Sequence, residues 1–329
     1  MGELTVKDVG EFGLIRRIMH DFIYRPELVK VGPGDDGAVY AAPAGFDQVI
    51  STDTMVEGIH FTSRTMGPAD VGYHLGASNF SDMAAMGAEA VGFVLSIALP
   101  DDLPLSWVES FYDGLRSCCR KYRVNLLGGD VTGSPGGVIA TGTVIGMVPS
   151  GKAVTRGGAR EGDVVFVTET IGDSAAGLYA LLHGRDKDFP GLVKRHRRPE
   201  PQIRAGMLVR DHGANALNDI SDGLSRELNE IASASEVEIE IDPSKIPISE
   251  EARRLAEEAH LSPLDWAFNG GEDYELVGTL SPADFDTIRE EYPVTAIGRV
   301  VKKPGHGVYM RKGQERAILE VHGFDHFEK

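Results

Sequence analysis

Six short acidic motifs punctuate this chain, each beside Gly, Ser or Thr: Gly34-Asp35-Asp36-Gly37, Ser51-Thr52-Asp53-Thr54, Asn79-Phe80-Ser81-Asp82, Gly128-Gly129-Asp130, Asn218-Asp219-Ile220-Ser221-Asp222-Gly223 and Gly270-Gly271-Glu272-Asp273. No Lys or Arg lies inside any of them. Carboxylates gathered without basic partners repel one another unless protons or hard cations hold them together. Magnesium prefers carboxylate and water oxygens and often bridges to phosphate. The pattern therefore points to a fold in which distant acidic side chains converge on a multi-metal phosphate site.

At 329 residues the chain is long enough for two domains of ordinary size, and 42% hydrophobic content supplies a core. A net charge of −17 argues against nucleic acid as a partner, because phosphate backbones attract basic surfaces. Small phosphorylated ligands stay open, since bound cations invert the local field. The only cysteines, Cys118 and Cys119, are adjacent and read as part of a helix in a reducing compartment. No apolar signal segment opens the chain, and apolar runs such as Ala90 to Leu99 are too short to span a bilayer. A cytoplasmic protein with no membrane partner is the expectation.

Leu14, Ile15, Ile18, Met19 and Phe22 fit one helix face. Val49 to Thr52 reads as a strand that delivers Asp53 to its end, and Pro68 suits the first turn of a helix running to about Gly87. Residues 91 to 99 alternate large apolar with small, as in a strand with one tightly covered face. Pro104 opens a helix with Leu105, Val108, Tyr112, Leu115 and Cys119 on one side, and Val138 to Val148 is a further strand. Pro149-Ser150-Gly151 is a candidate linker, dividing residues 1–148 from 149–329. Beyond it come a strand at Val164 to Thr168, a helix from Asp173 or Ser174, a helix carrying Leu224, Leu228, Ile231 and Ala232, and strands near 237–241, 274–280 and 294–301. The class is α/β (α+β), with helices laid on mixed sheets.

On the helix after Pro68, Val71, Leu75, Ser78 and Asp82 share one face, so Asp82 sits where a core residue belongs. An unpaired buried carboxylate is costly and needs a metal or a proton; the plainer alternative is a rotated helix with Asp82 in water. Asp36 in a glycine-flanked turn and Asp53 are each compatible with ordinary turn chemistry. Ser51 and Thr52 add hydroxyl or carbonyl oxygens that could complete a magnesium shell. Gly128 and Gly129, after the apparent strand end Asn125-Leu126-Leu127, suit either a phosphate approach or a tight turn. Asp219 and Asp222 precede a helix; one could cap it, leaving the other without a structural task. Arg156, in a glycine-rich stretch, is either a bidentate phosphate clamp or a solvated side chain. Two formal matches fail. Gly32 to Gly37 fits G-x-G-x-x-G but carries carboxylates that would repel a pyrophosphate, and Gly146 to Lys152 fits a P-loop only up to Ala153, which lacks the hydroxyl.

The ordered set resembles the thiamine-monophosphate kinase family, in the superfamily that includes aminoimidazole ribonucleotide synthetase and selenophosphate synthetase. The carriers are the acidic motifs together with Gly58-Ile59-His60-Phe61, Met83-Ala84-Ala85-Met86-Gly87, Arg156-Gly157-Gly158-Ala159, Gly172-Asp173-Ser174-Ala175-Ala176-Gly177-Leu178 and Asp273-Tyr274-Glu275-Leu276. The resemblance implies a two-domain aminoimidazole ribonucleotide synthetase-like fold. It implies a homodimer joined through its N-terminal domains, and ATP-dependent phosphorylation of thiamine monophosphate to thiamine diphosphate. It further implies that Asp36, Ser51, Thr52, Asp53, Asp82, Asp130, Asp219 and Asp222 hold several Mg2+ ions, and that Gly129, Asp130, Arg156 and Ser221 contact ATP. His60, Glu272 and Phe324 would contact the thiamine substrate.

On that reading the nucleophile is a phosphate oxygen. The second pKa of a phosphate monoester is about 6, so it is largely ionised near neutrality and no side-chain base is required. Transfer is then direct, with charge neutralisation and in-line alignment as the task. Rival readings are another ATP-dependent member of the superfamily, a multi-metal phosphohydrolase and a calcium-stabilised binding module.

Overall fold

Alternation and glycine placement account for the architecture. The computed structural model describes residues 4–31 and 39–321. It divides into two units, Met1–Met83 with Glu89–Gly151, and Ala84–Ala88 with Lys152–Lys329. The first half of the chain runs α1 (Val6–Ile18), β1 (Val29–Val31), β2 (Val39–Tyr40), β3 (Phe46–Val56), α2 (Pro68–Ala85), β4 (Glu89–Leu99), α3 (Leu105–Tyr122), β5 (Asn125–Gly133) and β6 (Ile139–Pro149). The second half runs β7 (Val164–Thr168), α4 (Asp173–Leu182), α5 (Pro190–Arg197), α6 (Ile203–Asp211), β8 (Ala216–Asp219), α7 (Leu224–Ser235) and β9 (Glu238–Ile241). It continues with α8 (Glu250–Ala259), α9 (Pro263–Asn269), β10 (Leu276–Leu280), α10 (Pro282–Ile288), β11 (Val294–Lys302), β12 (Val308–Lys312) and β13 (Glu315–Ile318).

In the first unit β3-β6-β4-β5 form a mixed sheet, antiparallel except for the β4–β5 pair. Phe93, Leu95, Ile97 and Leu99 are buried on its inner face. Phe80 of α2 meets Phe93 edge-on, with ring centroids 5.7 Å apart. The outer face carries Ile50, 64% exposed, and a threonine ladder in which Thr52 faces Thr143 and Thr54 faces Thr141. Helices α2 and α3 cross at glycines. A Cβ on Gly72 would lie 1.9 Å from the Phe111 carbonyl oxygen, and one on Gly114 would lie 1.8 Å from that of Ala69. Cys118 and Cys119 are free and buried in α3, where burial pushes both thiols up and leaves them inert.

In the second unit a seven-stranded sheet has the order β13-β12-β9-β11-β7-β10-β8, all antiparallel except β12–β9. The predicted face of α7, Leu224, Leu228, Ile231 and Ala232, is fully buried in its core. Glu275 is buried beside this sheet. Its carboxylate accepts from Thr168 Oγ1 (2.6 Å) and Gln202 Nε2 (3.2 Å), with Arg195 Nη1 at 3.5 Å. Burial, the largest influence, raises its pKa from 4.5 to about 8. The folded state therefore holds this proton more tightly than the unfolded chain. The associated stability is complete below the unfolded value and is lost as pH rises through the folded one. Glu275→Gln should flatten the fall in unfolding free energy between pH 5 and 8, by on the order of 1 kcal/mol per pH unit. Urea unfolding across that window measures it; an unchanged slope would show that Glu275 titrates normally.

Several expectations are corrected. Met19 and Phe22 lie beyond α1, which stops at Ile18. Asp53 sits inside β3, not at its end, because the pairing with β6 continues to Val56↔Ile139. Gly128-Gly129-Asp130 is no turn after a strand: β5 runs through it, and a Cβ on Gly129 would meet the Leu95 carbonyl oxygen at 1.9 Å. Tyr274, expected in a strand, has φ +53, and β10 begins at Leu276.

Candidate active site

On the inner side of the first sheet Ser51 meets Asp82 of α2, and Asp53 shares that face of β3. Ser51 and Asp53 alternate along β3 onto the side that faces α2. Ser51 Oγ donates to Asp82 Oδ2 at 2.5 Å, and the Asp53 amide donates to Asn79 Oδ1 at 3.2 Å. Asn79 and Asp82 are one helical turn apart on α2, so this turn of the helix faces the strand with polar side chains. Asp82 is half-buried; its neighbours Val71, Leu75 and Ser78 on the same face are buried. Gly142 of β6 leaves room for this contact, since a Cβ there would lie 2.6 Å from Asn79 Nδ2.

Thr52 and Asp130 stand on the other face. Register carries Thr54 through Thr141 and Ser96 to Asp130, so these four share the outer side. The Thr52 hydroxyl donates to the Gly142 carbonyl at 2.7 Å. His60 follows β3 in a turn, where the Val56 amide donates to Nδ1 at 3.0 Å. An accepting Nδ1 carries no proton, which makes Nε2 the protonated nitrogen of the neutral ring.

The second cluster gathers at the end of β8. Asp219 closes that strand, buried, and the next residues turn into α7. Neither Asp219 nor Asp222 caps the helix: its N-cap is Gly223, with φ +104 and no side-chain cap bond. A Cβ at Gly223 would meet the Phe268 carbonyl oxygen at 2.6 Å, so close backbone packing takes the place that an Asp or Ser cap would occupy. The Glu272 amide donates to the Ser221 carbonyl at 2.7 Å and the Tyr274 amide to that of Ile220 at 2.9 Å, which ties the Gly270–Asp273 motif to this turn. Arg226 Nε stands 4.0 Å from Asp222. Arg156 is neither buried nor loose: Nε donates to Asn218 Oδ1 (2.9 Å) and Nη1 pairs with Glu230 (2.7 Å).

Sequence reasoning missed Glu227, the buried carboxylate at the centre of this cluster. It accepts from Asn218 Nδ2, from the Asp222 amide at 3.2 Å and from Ser221 Oγ at 3.4 Å. Burial raises its pKa from 4.5 to about 8, with smaller contributions from the neighbouring carboxylates Asp219 and Glu230. Its place one turn into α7, on the side of Leu224 and Leu228, was the available signal.

Asp273 also has a different task from its neighbour Glu272. It is buried, accepts from the Gly172 amide (2.6 Å) and the Ser174 amide (3.0 Å) at the start of α4, and burial raises its pKa to about 7. Glu272 itself lies 3.7 Å from His196 Nδ1, with φ +66. Asp36 and Phe324 lie outside the described residues. Among the described residues, no three His, Cys, Asp or Glu side chains close into a metal cage. What each unit presents is an open set of oxygen donors.

Comparison with known proteins gives this arrangement a family. Residues 34–148 match the family model of the AIR synthase related protein N-terminal domain, and residues 160–311 that of its C-terminal domain. The chain is 39% identical to thiamine-monophosphate kinase of Bacillus subtilis, over 97% of this chain and 100% of that one. The solved thiamine-monophosphate kinase of Stenotrophomonas maltophilia superposes with a TM-score of 0.82 at 33% identity, covering 92% of this chain and 96% of that one. A solved AaThiL complexed with AMPPCP and TMP gives a TM-score of 0.78 at 34% identity, covering 99% and 100%. Through both halves and nearly its whole length, the chain belongs to the AIR synthase related proteins, in the thiamine-monophosphate kinase family.

Proposed function

We infer that this protein transfers the terminal phosphoryl group of ATP to the phosphate of thiamine monophosphate, giving thiamine diphosphate and ADP. The observation that carries the reading is 39% identity to the Bacillus subtilis kinase over 97% of this chain. The relative solved with AMPPCP, an ATP analogue, and TMP supports it.

The chemistry asks little of side chains as acids or bases. The acceptor oxygen is already ionised near neutrality, so the barrier is repulsion between two anionic phosphates. Magnesium, when bound, supplies the neutralising charge and aligns the reacting oxygens. Asp36, Ser51, Thr52, Asp53, Asp82, Asp130, Asp219 and Asp222 are the residues that would hold it. The donor chemistry fits, since these are hard oxygens and Ser51, Asp53 and Asp82 lie on one side of the first sheet in an open arrangement that suits an ion keeping waters, whereas the side chains of Thr52 and Asp130 turn to the opposite face.

Arg156, bonded to Asn218 and paired with Glu230, would offer its guanidinium to ATP, together with Gly129, Asp130 and Ser221. His60 presents a donating Nε2–H; with Glu272 and Phe324 it would contact the thiamine substrate. The outer face of β3-β6-β4-β5, with exposed Ile50 and its threonine ladder, supports association of two copies through this sheet. A net charge of −17 disfavours nucleic acid, and among the described residues no helix is long and apolar enough to cross a membrane. The cytoplasm, the compartment of ATP and of reduced thiols, is the location this reading assigns.

The test is an assay of purified protein with ATP, Mg2+ and thiamine monophosphate. Thiamine diphosphate and ADP should appear in equal amounts. Release of inorganic phosphate without thiamine diphosphate would replace the kinase by a phosphohydrolase.

A further inference from the structure

Hydrogen-bond polarity links the arginine of the proposed nucleotide site to the acidic turn beside it. A guanidinium only donates. The contact from Arg156 Nε to Asn218 (2.9 Å) therefore requires the amide oxygen of Asn218 on that side. The same amide must then present its nitrogen to Glu227, and Glu227 Oε2 must accept. Reversing the Asn218 amide would set donor against donor at Arg156. The other oxygen of Glu227 accepts from the Asp222 amide and Ser221 Oγ. Asn218 and Glu227 are 1% and 2% exposed, so water cannot replace either partner cheaply.

We propose that Asn218 and Glu227 are positioning residues that set Arg156 and the Ser221-Asp222 turn in one geometry, through a one-way relay from Arg156 to Asn218 to Glu227. The proposal rests on Arg156 and Ser221 serving ATP. Its strength is that direction, and not mere contact, is specified. A side chain that accepts from Arg156 and can also donate to Glu227 is an amide; one that only accepts is a carboxylate. Glu227→Gln sets an amide nitrogen against the Asn218 amide nitrogen in one orientation and against the Asp222 backbone N–H in the other, and Asn218→Asp places a carboxylate against Glu227. Each alone breaks the relay. Together, N218D/E227Q re-form it with the roles exchanged. The carboxylate introduced at position 218 accepts both from Arg156 and from the amide nitrogen introduced at position 227. The amide oxygen at position 227 still accepts from the Asp222 backbone. Total charge is conserved in the exchange.

The experiment measures kcat and KM for each substrate in wild type, E227Q, N218D and the double variant, with Mg-AMPPCP binding and thermal midpoint on the same samples. Each single variant should raise KM for ATP and weaken Mg-AMPPCP binding about tenfold, with KM for thiamine monophosphate little changed. The double variant should return to within about threefold of wild type, whereas independent effects would multiply to about 100-fold. A double variant no better than either single one overturns the relay, as does a loss shared equally by both substrates, which would mark a general structural role. Wild type that binds no Mg-AMPPCP would overturn the nucleotide-site reading itself, and the relay's assignment with it. Wild type that binds it, without rescue in the double variant, overturns the relay alone.

Discussion

Asp53→Asn should fold normally and lose turnover by at least about 100-fold, the scale expected when a group that orients or charges a metal site is removed. Asparagine keeps the size of the side chain and its place on the inner face of β3. The backbone contact to Asn79 uses the amide of residue 53 and is unaffected by the change. What disappears is one negative charge beside Ser51 and Asp82. If that charge binds a cation bridging the reactants, the Mg2+ concentration for half-maximal rate should rise together with the loss of rate. Wild-type rates with an unchanged Mg2+ dependence would remove Asp53 from the site.

Gly114→Val should destabilise the first unit by about 3 kcal/mol or more, at the upper end of overpacking effects. The added Cβ alone would lie 1.8 Å from the carbonyl oxygen of Ala69, and the obstacle is backbone, which cannot rotate away. Helices α2 and α3 would have to separate. Because α2 carries Asn79 and Asp82, the displacement should also reduce activity in the molecules that remain folded. With Trp266→Phe as background, Trp107 on α3 is the remaining tryptophan of the two in the sequence, so its fluorescence in urea reports this unit. An unchanged midpoint would mean that the helices have slack at the crossing. The signal was present but unread: Gly72 and Gly76 on α2, and Gly114 and Cys118 on α3, are small residues four apart, the spacing that lets two helix backbones approach.

Elements whose burial is written in local periodicity were legible. Pro68 does open α2, and Leu105, Val108, Tyr112, Leu115 and Cys119 are the buried face of α3. The strand Val164–Thr168 has the expected bounds. Less regular segments were not legible. The helices α5, α6 and α8 to α10 and the strands β12 and β13 are short or strongly charged, so periodicity has too few turns or alternations in which to declare a face. The α8 segment, for example, buries only Ala252, Leu255 and Ala256.

For the site, residue types along the chain marked out the acidic motifs, because the cost of unbalanced carboxylates does not depend on the fold. Which of them meet was a matter of tertiary structure. Strand register decided that Ser51 and Asp53 face Asp82 while Thr52 and Asp130 turn to the opposite side, since a shift of one residue reverses every side chain of a strand. Packing gave Asp273 the amides of α4, gave Gly223 the start of α7, and buried Glu227 between Asn218 and the Asp222 amide. Such pairings join residues whose separation along the chain carries no period, so no local pattern records them.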